Sequence, residues 1–430
     1  MCRGKRCIQV LAGVAAVAAG DAKAAHPAPT VIYQNYRLTA GTPMAPLTVA
    51  ANGSLYGTAA SGGMATRGMA FRLDPPAAGQ TSWTGTILHS FSGTPDGALP
   101  LGSVLVGRRG ELFGTTAVGG TGHGYDGSGT VWRLHPPTSG SGAWTEDILY
   151  RFQFVPKRTG PMADGGYPSA GLVMDRTGTL FGTTDGGGLG YGTVFSLSPP
   201  QRGEARWTET VLYRFTGGAD GANAQTGLSI DRQGILYGAT GSGGAVGNGT
   251  VFQLAPPAAG QTEWTESVLH SFTGGQTDGC EPFAAPTLTA AGTLYGTTPF
   301  CGGYGDGNGI AYQLNPPASG QSTWTETVLW HFGHHPHDGL IPYGSLVFGQ
   351  HGILYGTTFY GGARSGGTVF QLVPPTEDHP EGRESVLSFL RRSSGVHPWA
   401  GLAVDATGHL YGTTSLGGAH KGGTVFEIIP

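Results

Sequence analysis

One phrase recurs seven times along this chain: roughly L-[Y/F]-G-[T/A]-[T/A], a Gly-Gly loop, then G-T-V-[F/W]-x-L and, in six copies, Pro-Pro. Its aromatic anchors are Tyr56, Phe113, Phe181, Tyr237, Tyr295, Tyr355 and Tyr411, spaced 56 to 68 residues apart. A period of that length marks a repeated supersecondary unit, and the repeat fills the sequence, so one closed body is expected rather than two or three domains. The 79 Gly and 29 Pro among 430 residues would signal disorder in an aperiodic chain. Here they stand at fixed places between short Val, Leu, Phe and Tyr runs, as turn residues do in an all-β protein.

Each unit divides into four strand-like runs. In the third copy these are Leu172–Met174 (A), Leu180–Thr184 (B), Gly192–Leu197 (C) and Trp207–Phe215 (D). The turn from A to B always holds a glycine (Gly53, Gly110, Gly178, Gly234, Gly292, Gly352, Gly408), as a tight hairpin with a positive φ requires. The Pro-Pro pairs after strand C, Pro75-Pro76 through Pro374-Pro375, lack the N–H groups that would extend the ladder. The next strand then restarts at W-T, as at Trp144, Trp207, Trp264 and Trp324. Four antiparallel strands repeated seven times predict an all-β, seven-bladed β-propeller over residues 26–430. The ends of the chain agree. Val31-Ile32-Tyr33 matches the D strand Val211-Leu212-Tyr213, and the chain stops at Pro430 after a C strand, so an N-terminal strand is expected to complete the last blade and close the ring.

Arg3, Lys5 and Arg6, the apolar stretch from Cys7 to Gly20 and the small residues Ala22-Lys23-Ala24-Ala25 together read as a signal peptide over residues 1–25; an uncleaved anchor is the alternative. A secreted or periplasmic protein with no transmembrane segment after signal removal follows as the expectation. Only Cys280 and Cys301 then remain, and an even pair in an exported chain suggests a disulfide, with two free thiols as the alternative. Charged residues make up 12% of the chain and the net charge is −4, which provides no basic face for nucleic acid.

The strings L-Y-G-T-T, G-T-V-F-x-L and W-T-E-x-V-L resemble the tandem repeats of choice-of-anchor GloVer-containing bacterial proteins, over nearly all of the mature chain. The resemblance implies an exported, propeller-like protein and carries no activity to any residue. Such proteins commonly add a C-terminal surface anchor. This chain ends at Pro430 without one, so a free form is expected.

In a propeller the D-to-A and B-to-C loops emerge on one face, and here they are the variable loops, which makes that face the expected contact surface. Two adjacent insertions stand out there. One carries His123, Tyr125 and Asp126; the other carries Lys157, Arg158, Asp164 and Tyr167. They form a candidate pocket wall or two neutral insertions. The run containing His334, His335 and His337 is a candidate imidazole cluster, although its spacing matches no established metal site. Five D-to-A loops carry Asp-Gly at Asp96, Asp164, Asp220, Asp278 and Asp338, whose carboxylates either ring the channel mouth and hold a divalent cation or simply form turns. The W-T-E tryptophans offer a sugar platform or inter-blade packing. No dinucleotide, zinc-protease or serine-hydrolase motif stands in the right context, and no cofactor is required.

Besides a structural cell-envelope repeat protein with no small ligand, two functions are compatible with these residues. The first is a monomeric binding or cell-surface interaction module for an extracellular glycan or protein. The second is a carbohydrate-active hydrolase or lyase using acidic and imidazole groups at the mouth, which would need paired carboxylates at about 5–10 Å.

Overall fold

The computed structural model describes residues 27–33, 41–121, 127–138, 142–153, 164–303, 307–375 and 383–430. The segment read as a signal peptide lies outside them. Seven four-stranded antiparallel sheets make a seven-bladed β-propeller. In blade 3 the strands are Val173–Met174 (A), Leu180–Thr184 (B), Thr193–Ser198 (C) and Thr208–Arg214 (D), within a residue or two of the expected bounds. The other blades repeat this pattern, and their B strands are Leu55–Ala59, Leu112–Thr116, Leu236–Thr240, Leu294–Thr298, Leu354–Thr358 and Leu410–Thr414. All seven A-to-B turn glycines have φ between 76° and 94°, where an L side chain is strained. Among the described residues no helix is long and apolar enough to cross a membrane.

Blade 7 obtains its outer strand from the other end of the chain. Thr30–Tyr33 pairs antiparallel with Thr424–Ile428, in the register Thr30↔Glu427, Val31↔Phe426 and Tyr33↔Val425. The one-residue bulge before Tyr33 is the same irregularity that separates Val211 from Tyr213 opposite strand C of blade 3. The closing strand is therefore a D strand in detail. At the seam Gly85 of blade 1 replaces the glutamate of W-T-E, because a Cβ there would run into the Tyr33 ring. The sequence expectation of ring closure by an N-terminal strand is met.

The hydrophobic cores lie between neighbouring blades. Seven clusters each join residues of two adjacent sheets; the one at the seam joins Leu55, Phe71 and Leu73 to Tyr411 and Val425. Strand C supplies a fully buried aromatic, such as Trp132, Phe195, Phe252 or Tyr312, that packs against the phenylalanine just after strand D of the previous blade: tilted for Phe91–Trp132 at 5.6 Å, and edge-on for Phe152–Phe195 at 5.2 Å, Phe215–Phe252 at 5.2 Å and Phe272–Tyr312 at 5.3 Å. The W-T-E tryptophans do the same work further out. Trp144 packs on Tyr56, Trp207 on Phe113, Trp264 on Phe181 and Trp324 on Tyr237, each on the strand B aromatic of the preceding blade.

The invariant glycine of L-[Y/F]-G follows from this packing. A Cβ on Gly238 would lie 2.6 Å from the Phe252 ring and 2.9 Å from Leu228. Gly238→Ala is expected to lower stability by about 1–3 kcal/mol, as overpacking does, read as a fall in the denaturant midpoint. Phe252→Leu in the same chain should recover part of the loss; a midpoint unchanged by Gly238→Ala would show that strand B has room to move.

Cys280 and Cys301 form a disulfide. It joins the D-to-A loop leading into blade 5 to the B-to-C loop of that blade, where Gly279–Cys280 and Phe300–Cys301 form a small extra ladder.

Candidate functional site

Six D-to-A connections follow one plan. An Asp in five of them, and Ser394 in the sixth, stands at the turn, a residue with positive φ follows three positions later, and then come a proline (Ala224 in the connection into blade 4), a variable residue and a small residue before strand A. The cap is explicit at Asp96, which accepts bonds from the Ser92 amide (3.1 Å) and hydroxyl (2.6 Å), and at Asp338, which accepts from the amides of Gly333 (3.0 Å) and His334 (3.1 Å). The left-handed residues are Leu99, Tyr167, Asn223, Glu281, Ile341 and His397, with φ from 54° to 62°. Six strained non-glycine residues at one repeat position need a compensating contact. Each donates its amide to a B-to-C loop carbonyl of the preceding blade: Leu99 to Arg67, Tyr167 to Ser128, Asn223 to Tyr191, Glu281 to Asn248, Ile341 to Asn308 and His397 to Gly366.

This strain aims the variable residue at the propeller axis. Around the ring that position reads Met44, Leu101, Ser169, Gln225, Phe283, Tyr343 and Trp399, and all seven line one cavity of about 380 Å³. Its neck is glycine-lined because the entries to the A strands touch backbone to backbone; a Cβ on Gly102 would meet the Ala170 carbonyl at 2.5 Å. Threonines of strand B lock the neck from outside, with the Thr58 hydroxyl donating to the Gly102 carbonyl (2.9 Å), Thr115 to Ala170 (2.8 Å) and Thr357 to Ala400 (2.7 Å).

The mouth is asymmetric. Blades 5 to 7 carry an aromatic wall in which Tyr343 and Trp399 stack at 4.4 Å and 23°, Phe283 meets Tyr343 edge-on at 5.4 Å, and Phe359 supports Trp399 at 4.8 Å. His397 and Tyr360 extend it outward, 4.9 Å apart. Blades 3 and 4 present Ser169 and Gln225 opposite. Burial raises the Tyr343 hydroxyl above its usual pKa, with Tyr360 and Glu281 adding to the shift. The His397 imidazole is lowered by burial and by Arg392, which favours its neutral form. Among the described residues the cavity lining contains no carboxylate, imidazole, ammonium or guanidinium group. A second, wider cavity of about 1520 Å³ opens on the opposite face among the A-to-B turns, beside Arg108, Arg176 and Arg232.

Of the residues expected from sequence, His123, Tyr125, Asp126, Lys157 and Arg158 lie outside the described residues. Tyr167 is one of the strained linkers. Asp164 is buried and accepts from the Tyr150 hydroxyl at 2.6 Å. The ring of Asp96, Asp164, Asp220, Asp278 and Asp338 does not surround the mouth: each carboxylate turns outward to its own cap and to strand D, meeting His89, Tyr150, Tyr213, His270 and Trp330 respectively. The physical reason is local, since unpaired amides of the turn lie within reach of a carboxylate and the axis does not. The His334 and His335 rings lie 4.4 Å apart, tilted by 46°, beside Trp330, and His337 lies 6.5 Å from Phe389; no three metal-ligating atoms converge there among the described residues. The mouth residues themselves had a sequence signal. One position, preceded by proline in six of seven copies and followed by a small residue, changes chemistry from copy to copy.

No curated protein matches the chain. Similar solved structures include the polysaccharide lyase Uly1 (12% identity, TM-score 0.49, covering 93% of this chain and 92% of that one) and a protein of unknown function from Dyadobacter fermentans (14%, TM-score 0.41, 94% and 98%). A puromycin-hydrolyzing peptidase of Mycobacterium tuberculosis is similar at 12% identity and TM-score 0.49, over 90% of this chain and 52% of that one. At these identities no activity transfers. The Gloeobacter/Verrucomicrobia repeat, in contrast, matches residues 24–229 and again 229–430, and with seven blades built on that repeat the chain belongs to this family.

Proposed function

We propose that this propeller is an exported binding module whose mouth holds an extracellular glycan. The observation that carries the reading is the stacked Tyr343–Trp399 pair beside Phe283, facing Ser169 and Gln225 across one cavity. A pyranose has an apolar C–H face and a polar rim, so an aromatic wall opposite hydrogen-bonding side chains suits it. A cavity of about 380 Å³ is within the range of small-ligand sites. The described lining offers neither the general acid nor the base that glycoside cleavage requires, which supports binding over turnover. The disulfide accords with an oxidising compartment.

Thermal melting against a panel of neutral and acidic oligosaccharides tests this, because a ligand of the native state raises Tm by mass action. One glycan class is expected to raise Tm. Tyr343→Ala with Trp399→Ala should weaken its binding by roughly tenfold or more, from the loss of stacking. A panel without any shift, or a shift that survives the double substitution in the folded protein, would refute the mouth as the glycan site.

A further inference from the structure

Five blade interfaces share a carboxyl pair at least half removed from water, formed by the turn Asp of one blade and the glutamate near the start of strand D of the next: Asp96 with Glu146, Asp164 with Glu209, Asp220 with Glu266, Asp278 with Glu326 and Asp338 with Glu384. A strand D side chain stands beside each pair. In three interfaces it is Tyr150, Tyr213 or Trp330, which donates a hydrogen bond to the Asp. In the other two it is a histidine, and the chemistry changes. His89 Nε2 lies 3.0 Å from Asp96 Oδ2 and 3.3 Å from Glu146 Oε1; His270 Nε2 lies 3.4 Å from Asp278 Oδ2 and 3.7 Å from Glu326 Oε2.

We propose that these two interfaces are divalent transition-metal sites of the zinc type, ligated by His89, Asp96 and Glu146 and by His270, Asp278 and Glu326. In each, the three ligand atoms lie within 4.8 Å of one another. Tetrahedral Zn²⁺ with bonds near 2.0–2.1 Å separates its ligand atoms by about 3.3 Å, close to the imidazole–carboxylate spacings here. One nitrogen and two carboxylate oxygens suit Zn²⁺ better than Ca²⁺ or Mg²⁺, and a fourth position remains for water.

The glutamate Oε1 is buried without a hydrogen bond within the protein in all five interfaces, at Glu146, Glu209, Glu266, Glu326 and Glu384, so the groups around it are what separate the two histidine interfaces; His270 Nε2 likewise makes none. Moreover, the buried strand C aromatic is phenylalanine in blades 1, 3, 4, 6 and 7 but Trp132 in blade 2 and Tyr312 in blade 5, the two blades that supply Glu146 and Glu326. The Trp132 indole N–H and the Tyr312 hydroxyl are buried without a protein partner. Orphaned polar groups of this kind are rare in folded proteins and call for a partner such as a metal-bound water. The charges of Glu326 and Asp278 act on the Tyr312 hydroxyl, which places it electrically beside the second site.

The sister interfaces supply a substitution that preserves the fold, since tyrosine already fills the histidine position at Tyr150 and Tyr213. Calorimetric titration of the chelator-treated full chain with ZnCl₂ is expected to show two equivalents bound. His89→Tyr and His270→Tyr should each remove one, weakening it by about 100-fold or more, with the melting of the metal-free variants close to that of the parent. Absence of Zn²⁺ binding would overturn the proposal. So would two equivalents persisting in the folded double variant, which would place the metal on the His334–His337 loop, or CaCl₂ binding as tightly as ZnCl₂, which would exclude the imidazoles as ligands.

Discussion

A chain lacking residues 1–33 is expected to melt at least about 10 °C lower than the protein beginning at residue 27, and to aggregate on heating. Without Thr30–Tyr33, blade 7 is a three-stranded sheet with Thr424–Ile428 as a bare edge, a template for pairing with other chains. The loss is more than hydrogen bonds. Ile32 and Tyr33 pack against the cluster of Leu55, Phe71 and Tyr411, and uncovering two or three such side chains costs roughly 5 kcal/mol at ordinary apolar coefficients. The seam also holds blade 7 to blade 1, so its loss converts a closed ring into an open array with two unprotected ends. Differential scanning calorimetry of the two chains reads the difference. Supplying Thr30–Tyr33 as a peptide should restore part of it; a truncated chain melting within about 2 °C of the parent would mean the ring is held shut by other contacts.

Stability should also fall steeply as pH rises from about 4.5 to about 8. Burial pushes Glu146, Glu209, Glu266 and Glu326 up to about 7 and Glu384 up to about 8 from an ordinary value of 4.5, with the partner Asp of each adding repulsion. His89 and Arg151 oppose the shift at Glu146, Arg214 opposes it at Glu209 and His270 opposes it at Glu326. A glutamate with a raised pKa holds its proton longer when folded, so its contribution is complete below 4.5 and disappears as pH climbs through 7 to 8. His89 and His270 are raised by their carboxylate partners despite burial and act in the same direction. Asp96 and Asp278, lowered by hydrogen bonds against the cost of burial, lose their contribution only below their ordinary value of 3.8, outside this window. Five equivalent interfaces make the effect large: in chelator, Tm is expected to drop by roughly 5–10 °C between pH 5 and pH 8. Glu209→Gln with Glu266→Gln should flatten the profile and raise Tm at pH 8. A Tm constant across this range would show that these glutamates reach water in solution.

Much of this was legible in the chain itself. Glycine at the second turn position, Pro-Pro after strand C and the four short runs specify strand, turn and stop locally, because each depends on φ, a missing N–H or side-chain alternation within a few residues. Val31-Ile32-Tyr33 could be matched to Val211-Leu212-Tyr213 for the same reason, and closure followed. The candidate site was less legible. Asp-Gly reads identically whether its carboxylate faces the axis or the rim, and only the folded turn, with amides of residues such as Ser92 and Gly333 at 3.0–3.1 Å, sends it outward.

What the sequence by itself determined, then, is the repeating unit, the number of blades and the strand that closes them. What only the tertiary structure decided is which residues meet across blades: Glu146 buried against Asp96 and His89, Trp399 stacked on Tyr343, and seven dissimilar residues gathered around one mouth. A repeat dictates local backbone geometry through short-range sterics and hydrogen bonds. Contacts between residues some fifty positions apart exist only once the ring has closed and brought one copy of the unit against the next.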